Sequence, residues 1–304
     1  MIKIDSKLAK NITNCPACGS VKFKELFKLT KNVHSSAYEI GFDTAPSIVE
    51  CSDCFLQFKL PVYNTSLDLL VYQQYATGMK KRWNQSLPRD ILSLFKDYKK
   101  DYFFLEVGPG ETPISQICKD GTHFTLDIDK VHIDNNLSKS IIGSIDQPLD
   151  NKFNNFFDVV VMFDIAEHVT DVAGMFSNLQ KILKPGGELI IETGNALSKH
   201  AKREENKWKY YSIPEHRVFF SEEFLIFIAP MFGFKVTQLS KLRHKGVRSA
   251  SGFLLKLIAF LKWKILRKWL LPKSFIDNSD GIFLTPDSPL IKDHVFTKLI
   301  KEKL

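Results

Sequence analysis

Two glutamate–histidine pairs carry the residue types best suited to acid–base chemistry. Glu167–His168 follows the apolar run FDVVVMF, and Glu215–His216 lies in the segment YYSIPEHRVFFS. An imidazole titrates near neutral pH, so it can remove a proton from a hydroxyl group or from an acidic carbon. We therefore interpret His168 and His216 as candidate bases, with Glu215 and Tyr211 beside His216. The alternative is that one or both histidines only brace their loops through hydrogen bonds.

Four of the five cysteines form two C-x-x-C pairs, Cys15–Cys18 and Cys51–Cys54. Two thiolates three positions apart on a tight turn occupy two corners of a tetrahedron, so two such turns complete a four-sulfur Zn²⁺ site. Because no coordination position stays open, we expect structural zinc. Buried free thiols are the alternative. A redox pair fits less well, because neither motif lies at the strand-to-helix junction of a thioredoxin-like unit.

A glycine turn follows the apolar run YFFLEV. Glu106 precedes Gly108 and Gly110, and Asp127 ends the next apolar run about 20 residues later. Glycines let a ligand approach the backbone, and an acid at the end of the next strand accepts hydrogen bonds from ribose hydroxyls. The G-x-G-x-x-G dinucleotide fingerprint is incomplete, because Pro113 stands at its third glycine. The alternative role for Asp127 is a helix cap.

Apolar runs of strand length alternate with helical patterns from Tyr102 onward. The runs are YFFLEV, HFTLDI, FDVVVMF and ELIIET, and VAGMFSNLQKIL is one helical segment between them. This alternation predicts an α/β fold with a parallel sheet and helices on both faces. Loops at the carboxyl ends of parallel strands line one crevice, so both glutamate–histidine pairs are expected to face it. We also expect strands at FKVTQL and GIFLT.

Three regions follow from these patterns. Residues 1–62 are predicted to form the zinc-binding module, residues 63–100 a helical linker and residues 101–304 the α/β domain. A basic amphipathic helix is predicted at about residues 253–271, where apolar positions recur at helical spacing. Its lysines and tryptophans suit an anionic membrane interface. Packing on the α/β domain or on a second subunit is the alternative.

Composition limits the class of protein. The chain has 304 residues, 44% of them hydrophobic and 25% charged, which supports a sizeable core. The net charge of +8 favours anionic partners, although solubility alone also explains it. The start of the sequence does not resemble a secretory signal, and no stretch has the roughly 20 apolar residues of a membrane span. We expect a cytoplasmic protein, with peripheral contact at the inner membrane face if the basic helix is interfacial.

The α/β region resembles the seven-stranded S-adenosylmethionine-dependent methyltransferases. Their E-x-G-x-G-x-G loop corresponds to Glu106-Val-Gly108-Pro-Gly110-Glu-Thr112, with Thr112 in place of the third glycine. The segments GSID, FDVV and LKPGG then follow in the order and spacing of that family. The resemblance covers about residues 102–235. It implies a Rossmann-like, seven-stranded and mostly parallel sheet, here preceded by the zinc-ribbon-like module.

The resemblance also implies which residues contact S-adenosylmethionine. Gly108 and Gly110 would face its methionine part, close to Glu106, and Asp127 would hold the ribose. The other implied positions are Ile128, Ser144 and Ile145 around the adenine, and Asp164 on the pocket wall.

The glutamate–histidine motifs resemble two groups within this family. The D-x-x-E-H-V pattern is similar to that of ubiquinone-biosynthesis-like O-methyltransferases. The P-E-H-x-x-F-F-S pattern, together with an amino-terminal zinc module, resembles the deoxysugar C-methyltransferases. In that second group a histidine of the pair is the base, which implies His216 here.

The expected function is methyl transfer to carbon or oxygen of a small molecule, such as a nucleotide sugar or a lipid-linked saccharide. The alternatives are an RNA methyltransferase that grips phosphates through the zinc module, and a non-catalytic adaptor. Nucleic acid is less favoured, because acids offset the lysines of the module and no N-P-P-Y-like motif follows the fourth strand. Asp127 and both glutamate–histidine pairs argue against the adaptor. The sequence does not determine the acceptor or the oligomeric state.

Overall fold

The structure is a computed structural model that describes residues 2–4, 6–34, 39–68, 70–71, 98, 101–109, 115, 120–128, 139–242 and 293–302. Four sequence predictions lie wholly or mostly outside these ranges. They concern Gly110, the linker 63–100, the basic helix 253–271 and the strand GIFLT. Among the described residues, no helix has the length and apolar character needed to cross a bilayer.

The regular elements follow the chain in this order. The strands are β1 Ile2–Ile4, β2 Ala9–Lys10, β3 Phe23–Lys28, β4 Asn32–His34, β5 Glu39–Phe42, β6 Ser47–Cys51, β7 Gln57–Leu60, β8 Val62–Tyr63, β9 Phe103–Val107, β10 Thr122–Asp127, β11 Lys139–Ile142, β12 Phe157–Phe163, β13 Leu183–Gly194, β14 Val218–Phe219, β15 Phe234–Leu242 and β16 His294–Lys301. The helices are α1 Val172–Ile182, α2 Lys199–Glu204, α3 Lys209–Ser212 and α4 Glu222–Met231. Short 3₁₀ turns cover Ser6–Leu8, Asn151–Phe153, Ala166–His168 and Glu205–Lys207.

The central sheet has seven strands in the order β11-β10-β9-β12-β13-β16-β15. The first five strands pair in parallel, and β16 runs antiparallel to both of its neighbours. The predicted α/β fold with a seven-stranded, mostly parallel sheet is therefore confirmed. The closing antiparallel strand is His294–Lys301, which the sequence patterns did not mark.

The central strands are apolar along their whole length because both faces of the sheet are covered. In β12 every residue from Val159 to Met162 is buried. Helix α1 packs five apolar side chains into the same core: Val172, Met175, Phe176, Leu179 and Ile182. Its first turn is fixed by Asp171, whose carboxylate accepts the backbone N–H of Gly174 at 2.8 Å. Because β12 is fixed in this core, the turn Ala166–His168 that follows it lies at the carboxyl end of the parallel strands.

The cysteine region folds around a second sheet, in the order β14-β7-β6-β3. Strands β6 and β7 form a hairpin whose turn carries Cys51 and Cys54. Strand β14 belongs to the later part of the chain, where it directly follows Glu215 and His216. The pairing of β7 with β14 therefore places the cysteine region against the segment that carries the second glutamate–histidine pair.

Candidate active site

The four cysteines of the two C-x-x-C knuckles converge on one point. The Cys15 and Cys54 sulfurs are 3.6 Å apart, as are those of Cys18 and Cys51. All four sulfurs lie within 4.8 Å of one another. A tetrahedral zinc ion with bonds of about 2.3 Å holds its sulfurs roughly 3.8 Å apart. The spacing, and the burial of three of the four side chains, therefore fit a closed structural site.

Both knuckles use the same backbone turn. The N–H of Gly19 donates to the Cys15 carbonyl, and the N–H of Phe55 donates to the Cys51 carbonyl, each at 3.0 Å. Gly19 and Phe55 both have left-handed backbone, with φ of 74° and 65°. A phenylalanine in this region is strained, whereas a glycine is not. The second knuckle therefore adopts the same turn as the first, although it lacks the glycine that the first one uses.

The glycine turn lies where β9 ends. Gly108 has φ of 64°, and its N–H donates to the carbonyl of Leu126 at 2.9 Å. A Cβ atom at Gly108 would lie 2.0 Å from Cδ1 of Ile165. Ile165 directly precedes the turn that carries Glu167 and His168, so the predicted cofactor loop and the first glutamate–histidine pair pack together. This contact, as well as the backbone conformation, requires glycine at position 108.

The other predicted cofactor residues lie around the same edge of the sheet. Glu106 is buried in β9, Asp127 ends β10, and Ile128 follows it half-buried. The Asp127 carbonyl accepts the N–H of Gly143, which begins the predicted adenine turn. In that turn the side chain of Ile145 is buried in the core. The described residues thus place Asp127 next to the adenine turn, and Gly110 lies outside them.

Asp146 fastens the adenine turn to the loop after His168. Its carboxylate accepts hydrogen bonds from the Ser144 hydroxyl at 2.6 Å and from the backbone N–H and hydroxyl of Thr170, both at 2.8 Å. Burial alone would raise the pKa of Asp146, but these hydrogen bonds lower it below its usual value. The carboxylate is therefore ionised at neutral pH, and the Ser144 hydroxyl is engaged in holding the turn.

Both glutamate–histidine pairs meet at Glu167. Its carboxylate oxygen Oε1 lies 4.0 Å from Nε2 of His168 and 3.8 Å from Nε2 of His216. The two imidazole rings contact each other edge to face, with centroids 4.8 Å apart. Glu167 is fully buried, and the His216 side chain is 7% exposed. The structure thus brings the two motifs, 48 positions apart in the sequence, into one cluster.

Tyr210 connects this cluster to the end of β13. Its hydroxyl donates a short hydrogen bond to Glu167 and accepts the backbone N–H of Gly194 at 2.8 Å. The hydroxyl of Thr193 donates to the other Glu167 oxygen at 2.7 Å. The ring of Tyr210 also lies 4.2 Å from that of His216, centroid to centroid. Tyr210 is therefore the tyrosine that touches the predicted base.

Tyr211, the tyrosine named from the sequence, points elsewhere. Its hydroxyl donates to the side chain of Gln57 on β7, in the cysteine region. Consecutive residues on a helix point about 100° apart, so Tyr210 and Tyr211 of α3 cannot face the same cluster. Glu215 is buried next to His216, and its carbonyl accepts a hydrogen bond from Arg217 at 2.9 Å.

Both imidazoles of the cluster are neutral at physiological pH. Burial, reinforced by Arg217, lowers the pKa of His168 to about 3. Burial, reinforced by the neighbouring His168 ring and Lys59, lowers the pKa of His216 well below its usual value. Nδ1 of His216 lies 3.1 Å from the Tyr210 carbonyl oxygen, which can only accept. The proton of His216 is therefore on Nδ1, and the lone pair on Nε2 is available to take a proton. Nδ1 of His168 is buried with no hydrogen-bond partner among the described residues.

A third histidine forms an acidic cluster that the sequence patterns missed. Nδ1 of His294 lies 3.0 Å from Asp293, and its Nε2 lies 3.4 Å from Asp164 and 4.0 Å from Glu192. Burial alone would lower the pKa of His294, but the carboxylates of Glu192, Asp164 and Asp293 raise it well above its usual value. Glu192 is the second-last residue of the predicted strand ELIIET, so its position was a usable signal. His294 begins a strand that was not predicted.

Arg217 joins the two glutamate–histidine segments to the amino-terminal part of the chain. Its guanidinium donates to the His168 carbonyl at 2.7 Å and forms a buried ion pair with Asp68 at 2.8 Å. It also donates to the carbonyls of residues 63–64. A buried guanidinium needs this number of acceptors to offset its lost hydration. Arg217 therefore fixes the backbone next to both histidines.

Comparison with known proteins gives one family. A family model described as a methyltransferase domain matches residues 76–239, which is more than half of the chain. A search of curated proteins finds no match to the sequence.

The chain is also similar, at low sequence identity, to several solved structures. YcgJ from Bacillus subtilis is 14% identical, with 71% of this chain and 100% of that chain covered and a TM-score of 0.48. Phosphoethanolamine N-methyltransferase 2 from Haemonchus contortus, in complex with S-adenosylmethionine, is 17% identical at a TM-score of 0.46. The match covers 71% of this chain but 52% of that enzyme. The assignment rests on the family match: the chain belongs to the methyltransferase domain family.

Proposed function

We propose that the protein transfers a methyl group from S-adenosylmethionine to a small-molecule acceptor, a sugar or glycoconjugate precursor, at carbon or oxygen. The observation that carries this proposal is the buried His216, whose Nδ1 lies 3.1 Å from the Tyr210 carbonyl and whose Nε2 lies 3.8 Å from Glu167. Glu167 lies in the turn that packs on the glycine loop through Ile165. This contact supports the proposal that His216 acts as a base near the loop that the family uses for its methyl donor.

Residues at the carboxyl ends of β9, β10 and β12 support the donor site. Gly108 allows close approach to the backbone, and Asp127 offers a carboxylate for ribose hydroxyls. Asp164 has left-handed backbone with φ of 51°, a strained conformation of the kind that concentrates at functional sites. Bound S-adenosylmethionine would supply an electrophilic methyl group on its sulfonium centre.

The acceptor chemistry follows from the protonation state of His216. Its Nε2 takes the proton of an acceptor O–H or C–H group, and the electron pair left on the acceptor forms the new bond to the methyl carbon. The carbon–sulfur bond breaks with its electrons on sulfur, so charge balances. The imidazolium produced would be stabilised by Glu167, 3.8 Å away. An amine acceptor is already nucleophilic and gains less from such a base.

The donor assignment is tested by calorimetric titration with S-adenosylmethionine and its demethylated product. We expect binding by the wild type, and roughly tenfold weaker binding after Asp127→Ala, because charge-assisted hydrogen bonds to the ribose are lost. Asp101→Ala, which removes an exposed carboxylate in front of β9, is the matched control. No binding by the wild type, or equal binding by Asp127→Ala, rejects the donor site.

The acceptor class is tested with S-adenosylmethionine labelled on its methyl group and a panel of nucleotide-linked sugars. We expect label in a sugar product, and at least a hundredfold slower transfer in His216→Asn, since a positioned base contributes about that factor or more. His123→Asn, a half-buried histidine on β10, is the control. Transfer to RNA in preference to every sugar would contradict the acceptor class.

We further propose that the four cysteines hold a structural Zn²⁺ ion. The sulfur spacing of 3.6 Å and the two matching turns support this assignment. We expect one zinc per chain by elemental analysis, and its loss in the variant Cys51→Ser/Cys54→Ser. Purified wild type without zinc or another tetrahedral metal would reject the site.

A further inference from the structure

A lysine of the cysteine region reaches the backbone in front of the predicted base. Lys59 lies on β7, is 1% exposed, and donates through Nζ to the carbonyls of Ile213 and Pro214. The Ile213 carbonyl also accepts the backbone N–H of His216 at 3.2 Å. The Lys59 ammonium group and the backbone N–H of His216 therefore share the Ile213 carbonyl as an acceptor. Lys59 thus holds the turn that sets the position of His216.

The backbone of Lys59 holds the other side of the same segment. Its N–H donates to the Arg217 carbonyl at 2.8 Å, and β7 continues as a ladder with Val218 and Phe219. Lys59 therefore holds the chain on both sides of the Glu215–His216 pair, with its side chain before the pair and with its backbone N–H after it. That strand is the second strand of the hairpin whose turn carries two of the four cysteines.

A buried lysine is expensive to keep, and an apolar side chain would fill the same space. Burial lowers the pKa of Lys59 to about 7, with Glu215 opposing and Arg217 adding to that effect. Amino acids with long apolar side chains satisfy a core position without this loss of hydration. The charge and the donors of Lys59 thus need a reason beyond packing, and their partners are the carbonyls of the turn just before Glu215 and His216.

We propose that Lys59 is a positioning residue for His216, and that the four-cysteine region acts on the acceptor site through it. The inference rests on the proposed function in one respect, namely that His216 is the base. The position and charge effects themselves do not depend on the identity of the acceptor.

The charge of Lys59 acts on the same imidazoles. Together with burial, Lys59 keeps the pKa values of His168 and His216 below the usual value. The titratable and charged groups that face His216 from the elements around it are His168, Glu167, Asp164, Tyr210, Glu215, Arg217 and Lys59. Replacement of Lys59 removes its charge and its donors from this set, and the effect is read at the His216 ring.

The test is a two-bond ¹H–¹⁵N correlation of the histidine rings, with His216 assigned by the loss of its signal in His216→Asn. In wild type we expect His216 as the Nδ1–H tautomer. In Lys59→Met we expect its ring signals to shift and its apparent pKa to rise by about one unit, as a nearby positive charge is lost. Lys24→Met is the matched control, because Lys24 lies on β3 of the same sheet with its side chain 64% exposed.

Two further variants keep the test decisive. Lys59→Arg retains charge and donors, so it should preserve the wild-type His216 signals, whereas Lys59→Gln should behave like Lys59→Met. Unchanged His216 signals in the neutral variants would overturn the proposal. Failure of both neutral variants to fold, with Lys24→Met folded, would also overturn it, because Lys59 would then support the fold as a whole.

Binding of S-adenosylhomocysteine, measured on the same samples, separates this proposal from the proposed function. We expect unchanged affinity in Lys59→Met. If wild type does not bind S-adenosylhomocysteine, the proposed function is rejected. If Lys59→Met nevertheless shows the expected His216 shift relative to wild type, the positioning role of Lys59 stands.

Discussion

Two buried histidine environments lie on either side of Tyr210 and differ in charge. The Tyr210 ring is 4.2 Å from His216 and 5.5 Å from His294, centroid to centroid. His216 donates to a backbone carbonyl and lies near Lys59, so it is neutral. His294 has a carboxylate facing each ring nitrogen, so it is an imidazolium.

The comparison shows that burial alone does not decide the protonation of a histidine. Both side chains are almost fully buried, and burial lowers both pKa values. The carboxylates around His294 reverse this effect, whereas the neighbouring His168 ring and Lys59 reinforce it at His216. The neutral imidazole suits a base, and the imidazolium suits a fixed positive charge that neutralises acids at the ends of β12 and β13.

The largest difference in stability is expected between replacements of the two histidines. His294→Gln should cost about 3 kcal/mol of unfolding free energy at pH 7, because buried carboxylates lose their imidazolium. His216→Gln should cost about 1 kcal/mol, because only a neutral hydrogen bond is affected. Urea unfolding of both variants measures the difference. Equal losses would contradict opposite charge states.

The pH dependence of stability should have opposite slopes for the two environments. The folded-state pKa of His294 is raised, so its contribution is full below about pH 6.5 and is lost as pH rises toward the folded value. The pKa of His168 falls to about 3, so stability is lost as pH falls below about 6.5. Each slope is about 1.4 kcal/mol per pH unit.

Urea unfolding from pH 5.5 to 9 checks these slopes in single variants. The loss of stability that wild type shows as pH rises should be absent in His294→Gln. The loss that wild type shows as pH falls should be absent in His168→Gln. The same profile in both variants would show that the two histidines do not differ in the way proposed.

The smallest difference in stability is expected between replacements of the two adjacent tyrosines. Tyr210→Phe should cost about 2 kcal/mol of unfolding free energy, because its hydroxyl serves Glu167 and the Gly194 N–H. Tyr211→Phe should cost about 1 kcal/mol, because its hydroxyl bonds to Gln57. Only Tyr210→Phe should also shift the ring signals of His216. If only Tyr211→Phe shifted the His216 ring signals, Tyr211 and not Tyr210 would be the tyrosine that contacts His216.

Local patterns predicted the sheet because its central strands are encoded by continuous apolar runs. The runs at β9, β10, β12 and β13 each gave a strand, and the glycine turn falls where β9 ends. Strand β16 was missed because HVFTKLIK is a mixed polar and apolar segment, which becomes buried by pairing between β13 and β15.

Side-chain roles were less accessible from the sequence than the strands. The two glutamate–histidine pairs were visible as motifs, but their convergence on Glu167 depends on sheet order. Tyr210 and Tyr211 are indistinguishable in the sequence, and helix geometry separates them. Lys59 looks like an ordinary strand lysine, since nothing nearby in the sequence shows that residues 213–214 will cover it.

The central proposal is that His216 is a neutral imidazole whose Nε2, 3.8 Å from Glu167, takes the proton of the acceptor. A two-bond ¹H–¹⁵N correlation of the wild-type histidine rings at pH 7 tests it most directly. The account predicts His216 as the neutral Nδ1–H tautomer and His294 with both ring nitrogens protonated. A protonated His216, or a neutral His294 beside its carboxylates, would contradict it.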